Sequence, residues 1–388
     1  MIKDITGFKI FNSRGEPTIL IRTTTDRGTF YGSAPSGASV GRYEAKTLNI
    51  EKSLRILRRI KVNFIGLREE DFEVLDEMVV QLAGENFENI GSHLGFALSS
   101  SFLKAATLNE PYTYFKSLSF PYPIGNVVGG GKHGGGTDIQ EFHLIPTKVK
   151  SIEEAVWTNI EGIKRIKEEL SKLGKLYGKN DENALVSDLD DEKTLEILSK
   201  VARELDAKIG IDVAAGELWD HKKGKYVYRK TNKELTPVEQ LDFMKELINR
   251  WNIYYVEDPF NEDDFKKFSE LRKWRKRILI CGDDLHATNV KRLKISIKYD
   301  ACNSTIVKPN QIGTIGSAIK FSEFANENGI KTVLSHRSGE TNDWIIADLS
   351  LGLSPFIKTG VWGGERLAKL NRLIELWHRI EKPRMAKL

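Results

Sequence analysis

The C-terminal two-thirds of the chain repeats one pattern, a short apolar run that closes on an ionisable residue. AKIGID ends at Asp212, IYYVED holds Glu257, ILICGDD ends at Asp283 and Asp284, STIVK ends at Lys308, TVLSHR carries His336 and Arg337, and FIK ends at Lys358. From Asp212 through Glu257, Asp283, Lys308 and His336 to Lys358, the intervals are 45, 26, 25, 28 and 22 residues. A strand and its return helix need about that much chain, so the runs read as parallel strands with charged groups at one end. Helices are predicted between them. Thr236-Pro237-Val238-Glu239 combines a capping box with Pro at the first helical position, and Val238, Leu241, Met244, Leu247, Ile248 and Trp251 then recur on one face. Ser151 to Glu154 has the same Ser-x-x-Glu form and opens a helix running to about Gly174. A further helix follows Gly313, with Ile315, Ala318, Ile319 and Ala325 inside and Gly329 as its stop. Strands alternating with helices in this way predict an α/β protein with a (β/α) barrel, whose catalytic groups come from the C-terminal ends of several strands.

The first part of the chain is patterned differently. Residues 6–33 read as a strand hairpin, in which the β-branched run TILIRTTT is followed by the turn signal Asp26-Arg27-Gly28. A small-residue segment, SAPSGASVGRYEA, suits a mobile loop, and helical patterning follows over 50–61, 70–83 and 91–108. Strands first and helices second describe a smaller α+β domain. The stretch FPYPIG, with Pro121 and Pro123, marks the boundary. The expected domains are residues 1–122 and, for the barrel, 123–388.

Composition narrows the function classes. An apolar fraction of 40% over 388 residues allows a sizeable core, and no run of 18 apolar residues predicts a membrane helix. The N-terminal stretch lacks the apolar centre of a signal peptide, and Cys281 and Cys302 sit inside apolar runs as buried free thiols would, so a reducing cytoplasm is expected. The net charge of +5 is small for this length. The densest basic run, from Arg272 to Arg277 around Trp274, reads as a solvated helix end; no second basic cluster extends it into a nucleic-acid groove.

The strand ends carry the chemistry. Asp212, Glu257 and Asp283 offer oxygen alone, which suits Mg²⁺ or Mn²⁺ rather than zinc. Each could instead cap a helix or pair with a lysine. Lys308 and Lys358 stand on the same rim, where a nearby cation and a second ammonium would lower a lysine's pKa and let it act as a base. An ion pair to Asp283 or Asp284 is the structural alternative. The run GGGKHGGG, residues 129–136, is not a P-loop, because its spacing is wrong and His133 follows Lys132. It predicts a loop at the barrel mouth.

Taken together, the segments SRGEPT, PSGASVGRYEA, QEF, DVAAGELWD, VEDPF, GDDL, KPNQIGT, SHRSGETND, IKTG and ERLAKLN, in order from Ser13 to Asn371, resemble the enolase family. The resemblance implies an enolase-type barrel behind a small N-terminal domain, and the Mg²⁺-dependent dehydration of 2-phosphoglycerate to phosphoenolpyruvate. It implies that Asp212, Glu257 and Asp283 hold a first Mg²⁺ and that Ser39 closes over the site and ligates a second. By the same resemblance Lys308 is the base, Lys358 neutralises the substrate carboxylate, and Arg337 and Ser338, beside His336, bind phosphate. His133 reaches the substrate, while Glu141 and Glu182 help hydroxide leave as water. A homo-oligomer, dimer or octamer, is implied too. The chain departs from the family at the acid loop, where Asn183 stands in place of Gly, at Lys132 in place of Ser, and at Val361-Trp362-Gly363-Gly364 in place of an Ala-Pro-x-Arg-Ser run. These departures leave two other readings: a paralogue acting on another carboxylate, and an inactive binding or scaffold homologue.

Overall fold

A computed structural model of the chain describes residues 1–38 and 41–388, with the His133 side chain outside the description. It opens with an antiparallel meander of β1 (Ile2–Phe11), β2 (Pro17–Thr25) and β3 (Gly28–Ser33), one strand more than the expected hairpin because β1, which begins at Ile2, pairs with β2 on the side away from β3. Helices α1 (Ile50–Ile60), α2 (Phe72–Ala83) and α3 (Ser92–Ala106) follow, close to the predicted spans. Asn49 caps α1 by accepting the amide hydrogens of Glu51 and Lys52. The buried face of the sheet, with Ile2, Ile5, Ile19 and Ile21, packs against α1 and α3 in one core that continues into later helices.

The remainder builds the barrel. Strands β4 (Tyr122–Gly129) and β5 (Glu141–Ile145) lead to α4 (Ile152–Lys172), then the small hairpin β6 (Leu176–Lys179) and β7 (Leu185–Ser187), and α5 (Asp191–Glu204). After β8 (Lys208–Asp212) comes a separate three-stranded sheet of β9 (Trp219–Asp220), β10 (Lys225–Tyr228) and β11 (Lys233–Leu235). Regular alternation then runs through α6 (Pro237–Trp251), β12 (Tyr255–Glu257), α7 (Phe265–Trp274), β13 (Leu279–Gly282), α8 (Val290–Tyr299), β14 (Ser304–Val307), the short α9 (Pro309–Ile312) and α10 (Ile315–Glu327). It ends with β15 (Lys331–Ser335), α11 (Ile345–Leu353), β16 (Phe356–Gly360) and α12 (Gly364–Arg379). The capping box predicted at Thr236 is formed, with Thr236 and Glu239 each accepting the other's backbone N–H.

Eight strands close a ring in the order β4, β5, β8, β12, β13, β14, β15, β16, and β16 pairs with β4. Only β5 runs antiparallel to its neighbours in that ring. The barrel floor is apolar: Tyr122, Ile124, Ile145, Tyr255, Leu279, Ile306, Val333 and Phe356 pack together inside it. The charged layer lies at the other mouth, at the ends of the parallel strands. No described helix is long and apolar enough to cross a membrane, and Cys281 and Cys302 are buried free thiols.

A half-buried and a buried histidine give this fold an acid-sensitive term. Burial holds His93 down to about 4 and His286 down to about 3. Between these values and 6.5 the unfolded chain binds protons that the folded chain refuses, so their contribution to stability is lost as pH falls through that window. Asp191, pushed up to about 7 by burial, titrates in the same range with the opposite sign. The measurement is therefore a difference. Between pH 7 and 5 the urea midpoint of the wild type should fall further than that of a His93→Gln variant; parallel profiles would contradict this.

Candidate active site

Strand direction places the charged groups. Parallel β8 and β12 end at Asp212 and Glu257, which are paired in register. Asp283 follows β13 and Lys308 follows β14, while His336, Arg337 and Ser338 follow β15. Lys358 stands third in β16 rather than at its end, because the strand continues to Gly360. Since β5 is antiparallel, its first residue, Glu141, reaches the same mouth and pairs with Asp212. Glu182 comes from the turn between β6 and β7, a hairpin joined to the edge of β4. Lys308, Lys358, Glu141, Glu182, Asp212, Asp283, His336, Arg337 and Ser338 all line one cavity. Ser39 lies outside the described residues, as does the side chain of His133.

Ion pairs dominate this cavity. Lys358 Nζ donates to Asp212 Oδ2 at 3.0 Å and to Glu257 Oε1 at 2.8 Å, and stands 2.8 Å from Glu141 Oε2. Lys308 Nζ donates to Asp283 Oδ2. The structural alternative, an ion pair to Asp283, is thus realised for Lys308, whereas Lys358 pairs with Asp212, Glu257 and Glu141. Among the described residues no three carboxylates close on a common point as a metal cage; the two ammonium groups take oxygens that the expectation assigns to a cation. Burial pulls the Lys308 pKa down, but the Asp283 carboxylate outweighs it and the net direction is up, contrary to the expected lowering. Lys358 is held well above its ordinary value, since its carboxylate neighbours overcome burial.

The carboxylates remain in surplus. Eight of them line the cavity against four lysine and arginine cations. Burial, and then Asp212, push Glu257 well above the usual carboxylate range, and burial likewise raises Asp212 and Glu141. Asp283 alone among the three expected ligands is lowered: burial opposes this, and Lys308 with Lys358 prevails. Asp283 Oδ1 is buried without a hydrogen-bond partner among the described residues. Surplus buried negative charge, an oxygen-only donor set and an orphaned carboxylate oxygen fit a hard divalent cation.

On the other side, Glu182 Oε2 accepts from Asn126 Nδ2 at 3.1 Å and lies 3.5 Å from His336 Nε2. Arg366 donates to His336 Nδ1 at 2.9 Å, which leaves the imidazole proton on Nε2, facing Glu182. Arg337 holds both oxygens of Glu44, at 3.0 and 3.3 Å, so the expected phosphate grip is engaged by a carboxylate from the N-terminal loop.

Several supporting residues escaped the sequence reading. His143, held neutral by burial, donates Nε2–H to Glu141 Oε2 at 2.8 Å. Its signal was the two-residue interval from Glu141, which puts both on the same face of a strand. Tyr255 donates its hydroxyl to Glu257 by the same alternation. Arg366 and Glu44 lie in the segments ERLAKLN and PSGASVGRYEA that carry the resemblance, but their roles were not legible because their partners are distant in sequence.

The turn after Glu182 accommodates Asn183 where the resemblance expects Gly. Asn183 has φ +64, the left-handed region, and Asn tolerates it better than other side chains apart from Gly. Asn183→Ala should lower stability by about 1–2 kcal/mol, and Asn183→Gly by less, in thermal unfolding. Equal stability of the Ala variant and the wild type would contradict the conformational reading.

Two family models cover the chain: "Enolase, N-terminal domain" matches residues 2–118 and "Enolase, C-terminal TIM barrel domain" matches residues 117–385. Curated relatives agree. The protein named Enolase from Archaeoglobus fulgidus is 39% identical over 99% of this chain and 99% of its own length. That from Methanocorpusculum labreanum is 40% identical over 97% of the chain and 98% of its own, and that from Methanosphaera stadtmanae 38% over 100% and 99%. The ring with one antiparallel strand, the charged mouth and these full-length matches lead to one conclusion: the chain belongs to the enolase family, and it is a lyase.

Proposed function

We propose that this protein interconverts 2-phosphoglycerate and phosphoenolpyruvate in a Mg²⁺-dependent reaction. The observation that carries the proposal is the meeting, in one cavity, of lysines on one flank with Glu182 on the other and Arg337 at the rim. Neutral Lys308 takes the proton from C2 of the substrate. The electron pair of the broken C–H bond forms the C2–C3 double bond, and the C3–O bond breaks. Glu182 gives its proton to the departing hydroxide, so water leaves; Glu141 lies beside it. Lys358 draws the substrate carboxylate, and Arg337 with Ser338, next to His336, takes the phosphate in place of Glu44. His133 reaches the substrate from the glycine-rich loop.

Asp212, Glu257 and Asp283 would hold one Mg²⁺ and Ser39 would contribute to a second. Bound there, Mg²⁺ would stabilise the extra negative charge on the carboxylate and draw Asp283 away from Lys308, leaving that lysine easier to deprotonate. We assign residues 1–122 and 123–388 as the two domains, the first supplying the loop with Gly37, Ala38 and Glu44 to the cavity wall.

The arginine makes the proposal specific to a phosphorylated acid. Incubated with Mg²⁺, the protein should turn over 2-phosphoglycerate and leave glycerate, its unphosphorylated counterpart, unchanged. Preferential turnover of glycerate would replace this proposal with an unphosphorylated carboxylate as substrate.

A further inference from the structure

The turn that carries Glu182 is gripped from one side by the segment that follows β16. Trp362 donates Nε1–H to the Asn183 carbonyl at 2.6 Å. Asn183 Nδ2 donates to Glu365 Oε1 at 2.7 Å. Arg366, fully buried, donates Nη2–H to the Asp181 carbonyl at 3.2 Å and to the Ser338 carbonyl at 2.8 Å. The carbonyls on both sides of Glu182 are therefore each held by a side chain from Trp362–Arg366. Arg14 pairs with the Asp181 carboxylate from the far side.

The approach is close, and glycine permits it. A Cβ on Gly360 would stand 2.5 Å from the Glu182 carbonyl oxygen. One on Gly363 would stand 2.4 Å from Asn183 Nδ2, and Gly363 also has φ +96. Lys179 Nζ lies 4.1 Å from the centre of the Trp362 ring, a cation–π contact that joins β6 to the same clasp. The clasp begins four residues after Lys358 on the same chain segment, so it ties the Glu182 turn to the strand that carries Lys358.

We propose that Trp362 is a positioning residue for Glu182: its indole N–H fixes the Asn183 carbonyl and, through it, the angle at which the glutamate faces the departing hydroxyl. The inference rests on the reading of Glu182 as the proton donor. Lys308 follows β14 and is held by its ion pair with Asp283, and neither residue belongs to this clasp. Loss of the indole hydrogen bond therefore disturbs water loss at C3 and spares proton removal at C2. A purely structural role would lower both together.

The test is a Trp362→Phe variant, which keeps an aromatic ring for Lys179 and removes the N–H. In D₂O with Mg²⁺ and 2-phosphoglycerate, deuterium entry at C2 of the recovered substrate and release of phosphoenolpyruvate are followed side by side. The expected result is exchange within about twofold of the wild type, KM little changed, and dehydration kcat down about tenfold. A Glu365→Ala variant, altered at the first turn of α12 where it releases the Asn183 amide, should shift the exchange-to-dehydration ratio in the same direction. It serves if Trp362→Phe fails to fold. An unchanged ratio in a folded variant, or a parallel fall of both rates, overturns the clasp. A wild type that neither exchanges nor dehydrates overturns the underlying reading of the reaction instead.

Discussion

A Lys308→Ala variant should lose about 10²–10⁴-fold in kcat for dehydration, with an equal loss in deuterium exchange at C2. The proton beside a carboxylate is very weakly acidic, because its removal adds charge to an existing anion. An ammonium-forming base at the right place is thus a large share of the rate. Lys308 has the position, following β14 at the mouth, and its pairing with Asp283 shows that the amine points into the carboxylate cluster. Binding of 2-phosphoglycerate should survive, since Arg337 and Lys358 are untouched. Exchange retained at the wild-type rate would remove Lys308 as the base.

Glu182→Gln should separate the two halves of the reaction. Hydroxide is a poor leaving group, and an amide cannot supply the proton it needs, so phosphoenolpyruvate formation should fall by about 10²–10⁴-fold. The amide is close in shape to the carboxyl, and its oxygen can still accept from Asn126, which now bonds Glu182 at 3.1 Å. Proton removal by Lys308 should continue, so deuterium should enter C2 faster than product appears. Equal loss of exchange and dehydration would assign Glu182 to substrate binding or to structure. Deuterium exchange thus tells the two variants apart in one assay: it is lost with Lys308→Ala and kept with Glu182→Gln.

Much of the architecture was legible because it repeats. The intervals between Asp212, Glu257, Asp283, Lys308, His336 and Lys358 reflect the length of a helical return, and the capping box at Thr236 is a local signature that needs no tertiary context. The direction of β5 was not legible. EFHLI has the same alternation whichever way it runs, so only the folded ring reveals that β5 is antiparallel and brings Glu141 to the mouth. The resemblance, rather than the strand pattern, pointed to Glu141 and Glu182. The Lys308 pKa also escaped the sequence: its direction depends on an ion pair between residues on neighbouring strands, and Asp283 outweighs the burial that alone would lower it. FIK suggested a strand ending at Lys358, yet Thr359 and Gly360 extend β16 and place Lys358 inside the strand, its ammonium turned into the cavity.

The most direct test of the proposed chemistry is the ultraviolet absorbance of phosphoenolpyruvate as it forms from 2-phosphoglycerate, recorded with saturating Mg²⁺ and again after chelation. Product should accumulate with the cation, cease on chelation and resume when Mg²⁺ is restored. No product above background with saturating Mg²⁺, or turnover indifferent to chelation, would contradict the account.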